Sequence, residues 1–312
     1  MPSSLDTADT AAARRTSLRV ARPPRGTAAA ARAGIVDYYD QCERDYRLVW
    51  NLRRSLAMHY GHWDASTRTL GDALLRQNEL LAAAAGIRVG DRVLDAGCGV
   101  GGSAIHLARR RGAHVTGITL SLRQAATAYR HARRLGVSAR TGFFVSDYLR
   151  AAVGECRFDV VWALESMCYA DDTAAFAREA FHALRPGGRL VVADAFTIDR
   201  PDVPDAEDRR RAWLACWLVR RLETVERFAA QCAAAGFADV AWDDVTAHVM
   251  PSARRLWRWS LCTLPLGRLL QTVGLRSAVQ TRNILGCRLQ YPIFRDGLVR
   301  YALVSATKPA GA

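Results

Sequence analysis

A chain of 312 residues, half of them hydrophobic, is long enough to bury a full core as one large domain with additions. Its formal charge is +14, but Lys308 is the single lysine among 44 basic residues, so the charge follows an arginine skew and does not argue for a nucleic-acid partner. The eight scattered cysteines hold no C-x-x-C pair and no apolar run reaches the roughly 18 residues of a membrane-spanning helix, which sets aside a zinc site, a disulfide framework and a transmembrane chain.

Residues 1–34 are rich in Ala, Arg, Ser and Thr and lack an apolar h-region. They read as a disordered tail, with an organellar transit peptide as the alternative, in a chain otherwise expected in the cytoplasm. Residues 35–85 form a helical cap. A helix from Ile35 to Trp50 carries Tyr39, Tyr46 and Trp50 at helical spacing, a turn spans Met58 to Trp63, and a second helix runs from about Thr69 to Ala85. Residues 86–198 alternate strands with helices. The strands end at Asp95, run from His114 to Thr119, Gly142 to Ser146 and Phe158 to Leu164, and follow a tight Arg185–Gly188 turn from Arg189 to Ala193. This rhythm predicts a Rossmann-like, doubly wound and mostly parallel α/β sheet. Residues 199–210 read as a charged loop, followed by helices over 211–221 and 223–235 and a strand from Val240 to Val245. The rhythm then fails in an apolar, basic, aromatic stretch, 251–298, before a last strand within 299–308. Residues 199–298 are the candidate lid or acceptor-binding region.

The informative stretch is Val93-Leu94-Asp95-Ala96-Gly97-Cys98-Gly99-Val100-Gly101-Gly102, a strand end, an acid and a glycine turn leading into a helix. Such a turn lets a ligand lie against bare backbone at the carboxyl edge of a sheet. The acids discriminate between ligands. A nicotinamide site places a carboxylate about 20 residues on, at the end of the second strand. Here no Asp or Glu occurs from 96 to 146, and the second strand ends in Thr119. Asp95, just before the glycines, would repel a pyrophosphate and suits a ligand with a cationic end.

S-adenosylmethionine is such a ligand, and the stretch resembles motif I of the class I methyltransferases. Three other blocks carry the same resemblance: Ser146-Asp147-Tyr148, Phe158-Asp159-Val160-Val161 and Leu184-Arg185-Pro186-Gly187-Gly188. Gly117-Ile118-Thr119-Leu120-Ser121 with Gln124 resembles the branch that holds cyclopropane fatty acid synthases and sterol, tocopherol and prenyl-diphosphate C-methyltransferases. The resemblance implies that Asp95, Gly97 and Gly99 hold the methionine end, Thr119 and Gln124 the ribose, and Asp147 with Tyr148 the adenine. It also implies that Tyr60-Gly61 is a cofactor lid.

Trp162-Ala163-Leu164-Glu165-Ser166-Met167-Cys168-Tyr169 carries the chemistry, with Glu165 at a strand's carboxyl edge. Glu-Ser-x-x-Tyr resembles the prenyl-diphosphate C-methyltransferases. Methylating an alkene creates a carbocation, which needs a carboxylate, π faces and a base. Glu165 and Tyr169 are the candidate catalytic residues, acting on a lipophilic small molecule of isoprenoid type. Related sugar O-methyltransferases carry a His pair where Cys168-Tyr169 stand, and cyclopropane synthases a Tyr-Ser-Cys where Tyr60-Gly61-His62 stand. Motifs of base-methylating enzymes are absent, so no nucleic acid is expected. Arg254, Arg255, Arg258 and Arg268, among apolar residues, would receive a diphosphate, with Mg²⁺ needed only in that case; peripheral membrane contact is the other use of the stretch. The alternatives are an O- or N-methyltransferase of a secondary metabolite with Asp194 or His59 as base, a nicotinamide oxidoreductase, and a cofactor-binding subunit without turnover.

Overall fold

The computed structural model describes residues 28–49, 56–150, 154–200 and 202–311. Its centre is a seven-stranded sheet: β1 (Arg92–Ala96), β2 (His114–Thr119), β3 (Thr141–Val145), β4 (Phe158–Leu164), β5 (Leu184–Thr197), β6 (Ala238–Asp244) and β7 (Val299–Thr307), in the order β3-β2-β1-β4-β5-β7-β6. The pairs from β3 to β5 are parallel, and β7 runs antiparallel to both β5 and β6. The expected Rossmann-like, mostly parallel sheet is therefore the observed one. β4 lies at its middle with every residue buried. A strand covered on both faces needs apolar side chains on both, which is why Phe158–Leu164 reads as a nearly unbroken apolar run. Val160 and Trp162 enter the core on one face, and Val161 and Ala163 the core on the other.

Helices cover the two faces: α1 (Ala28–Val49), α2 (Leu70–Ala84), α3 (Gly102–Arg110), α4 (Leu122–Arg134), α5 (Thr173–Ala183), α6 (Ala206–Cys216), α7 (Val225–Ala234), α8 (Thr246–Thr272) and α9 (Ala278–Arg295). Several begin where side chains cap free amides. Thr69 and Asp72 form a capping box on α2, Ser121 accepts from Gln124 N at α4, and Ser277 with Gln280 forms the box of α9.

Four expectations shift. The first helix starts at Ala28, so residues 28–34 are not tail; four consecutive alanines are strong helix formers. Residues 1–27, and with them the transit-peptide alternative, lie outside the described residues, as does Trp50. The supposed loop 199–210 already holds the first turn of α6. Glu207 and Asp208 favour a helix amino end, and Arg210 pairs with Glu207 three residues away. Arg185–Gly188 forms a bulge inside β5, between the pairs Phe158↔Leu184 and Val160↔Arg189. The irregular stretch 251–298 is a helical hairpin. Pro251 and Pro265 lie inside α8 and each removes an amide from its ladder, but close packing against α9 keeps the helix continuous.

The single lysine has a structural use. Lys308 is buried, its Nζ donates to Phe181 O and Leu184 O at 2.9 Å each, and it sits 4.5 Å from the Phe181 ring. It thereby satisfies carbonyls that the end of α5 leaves open. Lys308→Met should cost about 1–3 kcal/mol by leaving those carbonyls without a donor. Chemical denaturation checks this; an unchanged midpoint would contradict it.

Candidate active site

The glycine turn after β1 closes against two other segments. Gly97 has φ +100°, and a Cβ there would fall inside the Ser166 side chain. Ser166 Oγ donates to Ala96 O at 2.5 Å, and Tyr148 OH donates to Ser166 O at 2.8 Å. The turn is thus fixed to the chain just beyond β4, and Gly97 is required by that contact as much as by any ligand. Gly99, at φ +51°, meets the end of the Met58 side chain.

Above this turn, at the carboxyl ends of β1, β2 and β4, lies a cavity lined by Asp95, Gly97, Gly99, Thr119, Gln124, Asp147, Tyr148 and Glu165. Tyr169 lines it too, so nine of the ten residues assigned to cofactor or catalysis from the sequence border this cavity; Tyr60 does not. Arg32, Ile35, Val36 and Tyr39 of α1 roof it. Asp95 is buried, and among the described residues its Oδ2 has no hydrogen-bond partner. Burial pushes its carboxyl up to about 7, partly offset by the Ala104 amide. An orphaned, buried acceptor on a cavity wall fits a ligand that brings a cationic donor. Thr119 Oγ1 donates to Gln124 Oε1 at 2.6 Å. After β2, Ser121 Oγ donates to Asp40 of α1 at 3.1 Å. Asp147 accepts from Arg32 Nη1 at 2.8 Å and from Leu149 N at 3.0 Å.

A second cavity shares a wall with the first; Tyr39, Met58, Glu165 and Tyr169 border both. Its other walls include Tyr46, Trp213, Asp194, Gln290 and Tyr301. Tyr60 borders this second cavity and not the first. Its ring packs edge-on against Phe294 and Tyr301, its hydroxyl bonds Gln290 Oε1, and its amide donates to Glu165 Oε1 at 2.6 Å. Tyr301 OH donates to the same Oε1 at 2.9 Å. Glu165 itself is left-handed, at φ 50°, an uncommon state for a side-chain-bearing residue and here the one that ends β4 beside both cavities. Glu165 keeps exposed area where it borders them, yet enough protein surrounds it that desolvation pushes its carboxyl up to about 8, against the lowering bonds from Tyr60 and Tyr301. Asp194 is pushed up to about 6 by burial, against the amides of Cys168 and Ala195. Tyr169 OH lies 3.0 Å from Tyr39 OH.

Two expectations are corrected. His59 is buried with both ring nitrogens engaged, by Tyr60 O at 2.8 Å and Asn78 Nδ2 at 3.2 Å, and burial lowers its pKa to about 4. It holds the turn and cannot be a free base. Arg254, Arg255, Arg258 and Arg268 are exposed on the outer side of α8 and none lines the second cavity. Among the described residues no three His, Cys, Asp or Glu side chains come together as a metal site. Arg32, Tyr301 and Gln290 were missed from the sequence; each reaches the site from an element far away in the chain.

A family profile described as a methyltransferase domain matches residues 93–188. The chain is 34% identical over 195 residues to the 27-O-demethylrifamycin SV methyltransferase of Amycolatopsis mediterranei (strain S699), covering 62% of this chain and 71% of that protein. It is 32% identical over 281 residues to methyltransferase GfsG of Streptomyces halstedii, covering 88% and 94%. Among solved structures, a geranyl diphosphate methyltransferase in complex with GPP and sinefungin superposes with a TM-score of 0.71 at 22% identity, covering 89% of this chain and 99% of that chain.

Asp95 makes the free site pH-sensitive. The folded chain keeps its proton up to about pH 7, whereas an ordinary Asp releases it near 3.8, so the folded state binds more protons across that window. Its contribution to stability therefore falls as pH rises from about 4 to about 7 and is level above. Asp95→Asn should gain melting temperature relative to the parent as pH rises through that range, read by scanning fluorimetry without ligand; a difference independent of pH would contradict the assignment.

Proposed function

Given that the chain belongs to the class I S-adenosylmethionine-dependent methyltransferases, in the branch that includes sterol and tocopherol methyltransferases, we propose that it methylates a carbon of a lipophilic natural product of isoprenoid type. The observation that carries this reading is Glu165, a desolvated carboxyl in the wall between the two cavities, with the rings of Tyr39, Tyr60, Tyr169, Trp213 and Tyr301 around the second.

Bound S-adenosylmethionine supplies the methyl group and a sulfonium charge. Asp95 would hold the ammonium of the methionine end against Gly97 and Gly99, Thr119 and Gln124 the ribose, and Asp147 and Tyr148 the adenine, with Arg32 yielding or sharing Asp147. A cation beside Glu165 favours its ionised form, so loading the first cavity turns a protonated carboxyl into a base. In the acceptor, an alkene π pair forms the new carbon–carbon bond while the sulfur–methyl bond breaks with its pair remaining on sulfur. The neighbouring carbon is left cationic, and the aromatic faces stabilise it. A C–H proton then passes to the Glu165 carboxylate as the double bond re-forms. Tyr60 and Tyr301 hold that carboxylate in place.

Methylation of a hydroxyl is the second reading. The relative that acts on 27-O-demethylrifamycin SV favours it, as do two carboxyls, Glu165 and Asp194, whose raised pKa values suit removal of a hydroxyl proton. The family membership leaves no place for the nicotinamide reading.

Asp95→Asn should weaken S-adenosylmethionine at least tenfold by calorimetry, and the parent's affinity should fall as pH drops below about 7, where Asp95 takes up its proton. Undiminished affinity in the variant would sink the role. Glu165→Gln should keep S-adenosylhomocysteine binding but lose about 10²–10⁴-fold in transfer of labelled methyl to an organic-soluble isoprenoid pool. Full transfer in that variant would remove the proposed base, and a label found on oxygen would select the second reading.

A further inference from the structure

We infer that the outer face of the α8–α9 hairpin docks on an anionic lipid bilayer. Twelve large hydrophobic residues are exposed among the described residues, and six of them fall between Trp259 and Leu275. Trp259 (47% exposed), Leu266 (54%), Leu269 (61%) and Val273 (60%) are spaced by seven, three and four residues, which places them on one side of α8. Leu275, at 77%, continues the patch into the turn before α9. The opposite side of α8, with Val249, Ala253, Leu256, Ser260 and Leu264, is buried. The stripe is therefore the face left over after the fold has taken what it needs.

The charge on the hairpin selects the partner. From Thr246 to Arg295 the chain carries eight arginines and no Asp or Glu. Arg254, Arg255, Arg258 and Arg268 flank the apolar stripe, all exposed, and none forms an ion pair among the described residues. A second copy of this face would bring like charges together across an apolar contact. A nucleic acid would meet the arginines and leave Trp259, Leu266 and Leu269 in water. An anionic bilayer satisfies both halves of the surface, arginines at the headgroups and the apolar stripe at the acyl boundary, with Trp259 at the level between.

The hairpin's inner side gives this docking a use. Leu256 of α8 and Asn283, Cys287 and Gln290 of α9 line the second cavity. The same two helices thus face the bilayer on one side and the proposed acceptor space on the other. A lipophilic acceptor dissolved in the membrane would be drawn from beside that cavity. This last step rests on the acceptor reading above; the docking itself does not.

Vesicle flotation of the full chain separates the two. Phosphatidylcholine vesicles containing phosphatidylglycerol should carry the protein, with a blue shift in tryptophan emission, and pure phosphatidylcholine vesicles should carry far less. Arg258→Gln should weaken binding about fivefold, and added salt should weaken it further. Leu266→Glu with Leu269→Glu should abolish flotation while S-adenosylhomocysteine affinity stays at the parent value, which reports that the double variant is folded. No flotation of the parent, equal binding to neutral and anionic vesicles, or undiminished flotation of the double variant would each overturn the inference. So would sedimentation showing that the parent covers this stripe with a second copy.

Discussion

The Glu165 carboxyl, desolvated at the end of β4 and held by the Tyr60 amide and the Tyr301 hydroxyl, is the constraint on which the two cavities depend. A carboxyl taken out of water must be bonded or lose its charge. Meeting that demand brings the turn before α2 and the last strand of the sheet to the same oxygen. Tyr60 goes further, because its hydroxyl reaches Gln290 on α9 while its amide holds Glu165. The hairpin that walls the second cavity and the acid that borders the first are therefore tied through one residue. Displacement of either helix or acid would be felt by the other.

α1 performs a comparable service at the roof. Arg32 reaches Asp147 after β3, Asp40 reaches Ser121 after β2, and Tyr39 meets Tyr169 after β4. On its far side, Asp45 pairs with Arg276 and Tyr38 donates to Asn283 at 2.8 Å, both at the α8–α9 hairpin. The helix spans the carboxyl edge of the sheet and the hairpin with polar contacts on both.

What the sequence disclosed and what it concealed follow from the range of the interactions. The strand from Phe158 to Leu164 was legible because burial on both faces leaves a nearly unbroken apolar run, and Asp95 to Gly102 because a strand, an acid and a glycine turn are contiguous. Thr119 and Gln124, five residues apart, bond each other, and Glu165 and Tyr169, four apart, border the same cavity. The place of Tyr60 beside the second cavity was hidden because its hydroxyl is held by Gln290, 230 residues away. Arg32 was hidden in an alanine-rich stretch that resembles a tail. α8 was hidden by two prolines that only its packing on α9 makes tolerable.

If donor and acceptor meet at Glu165, a crystal structure of the chain with S-adenosylhomocysteine should show the ammonium at Asp95, the adenine at Asp147 and the thioether sulfur turned toward the wall that Glu165 shares between the cavities. A sulfur turned away from Glu165, or an adenine lying where the methionine end is assigned, would contradict it.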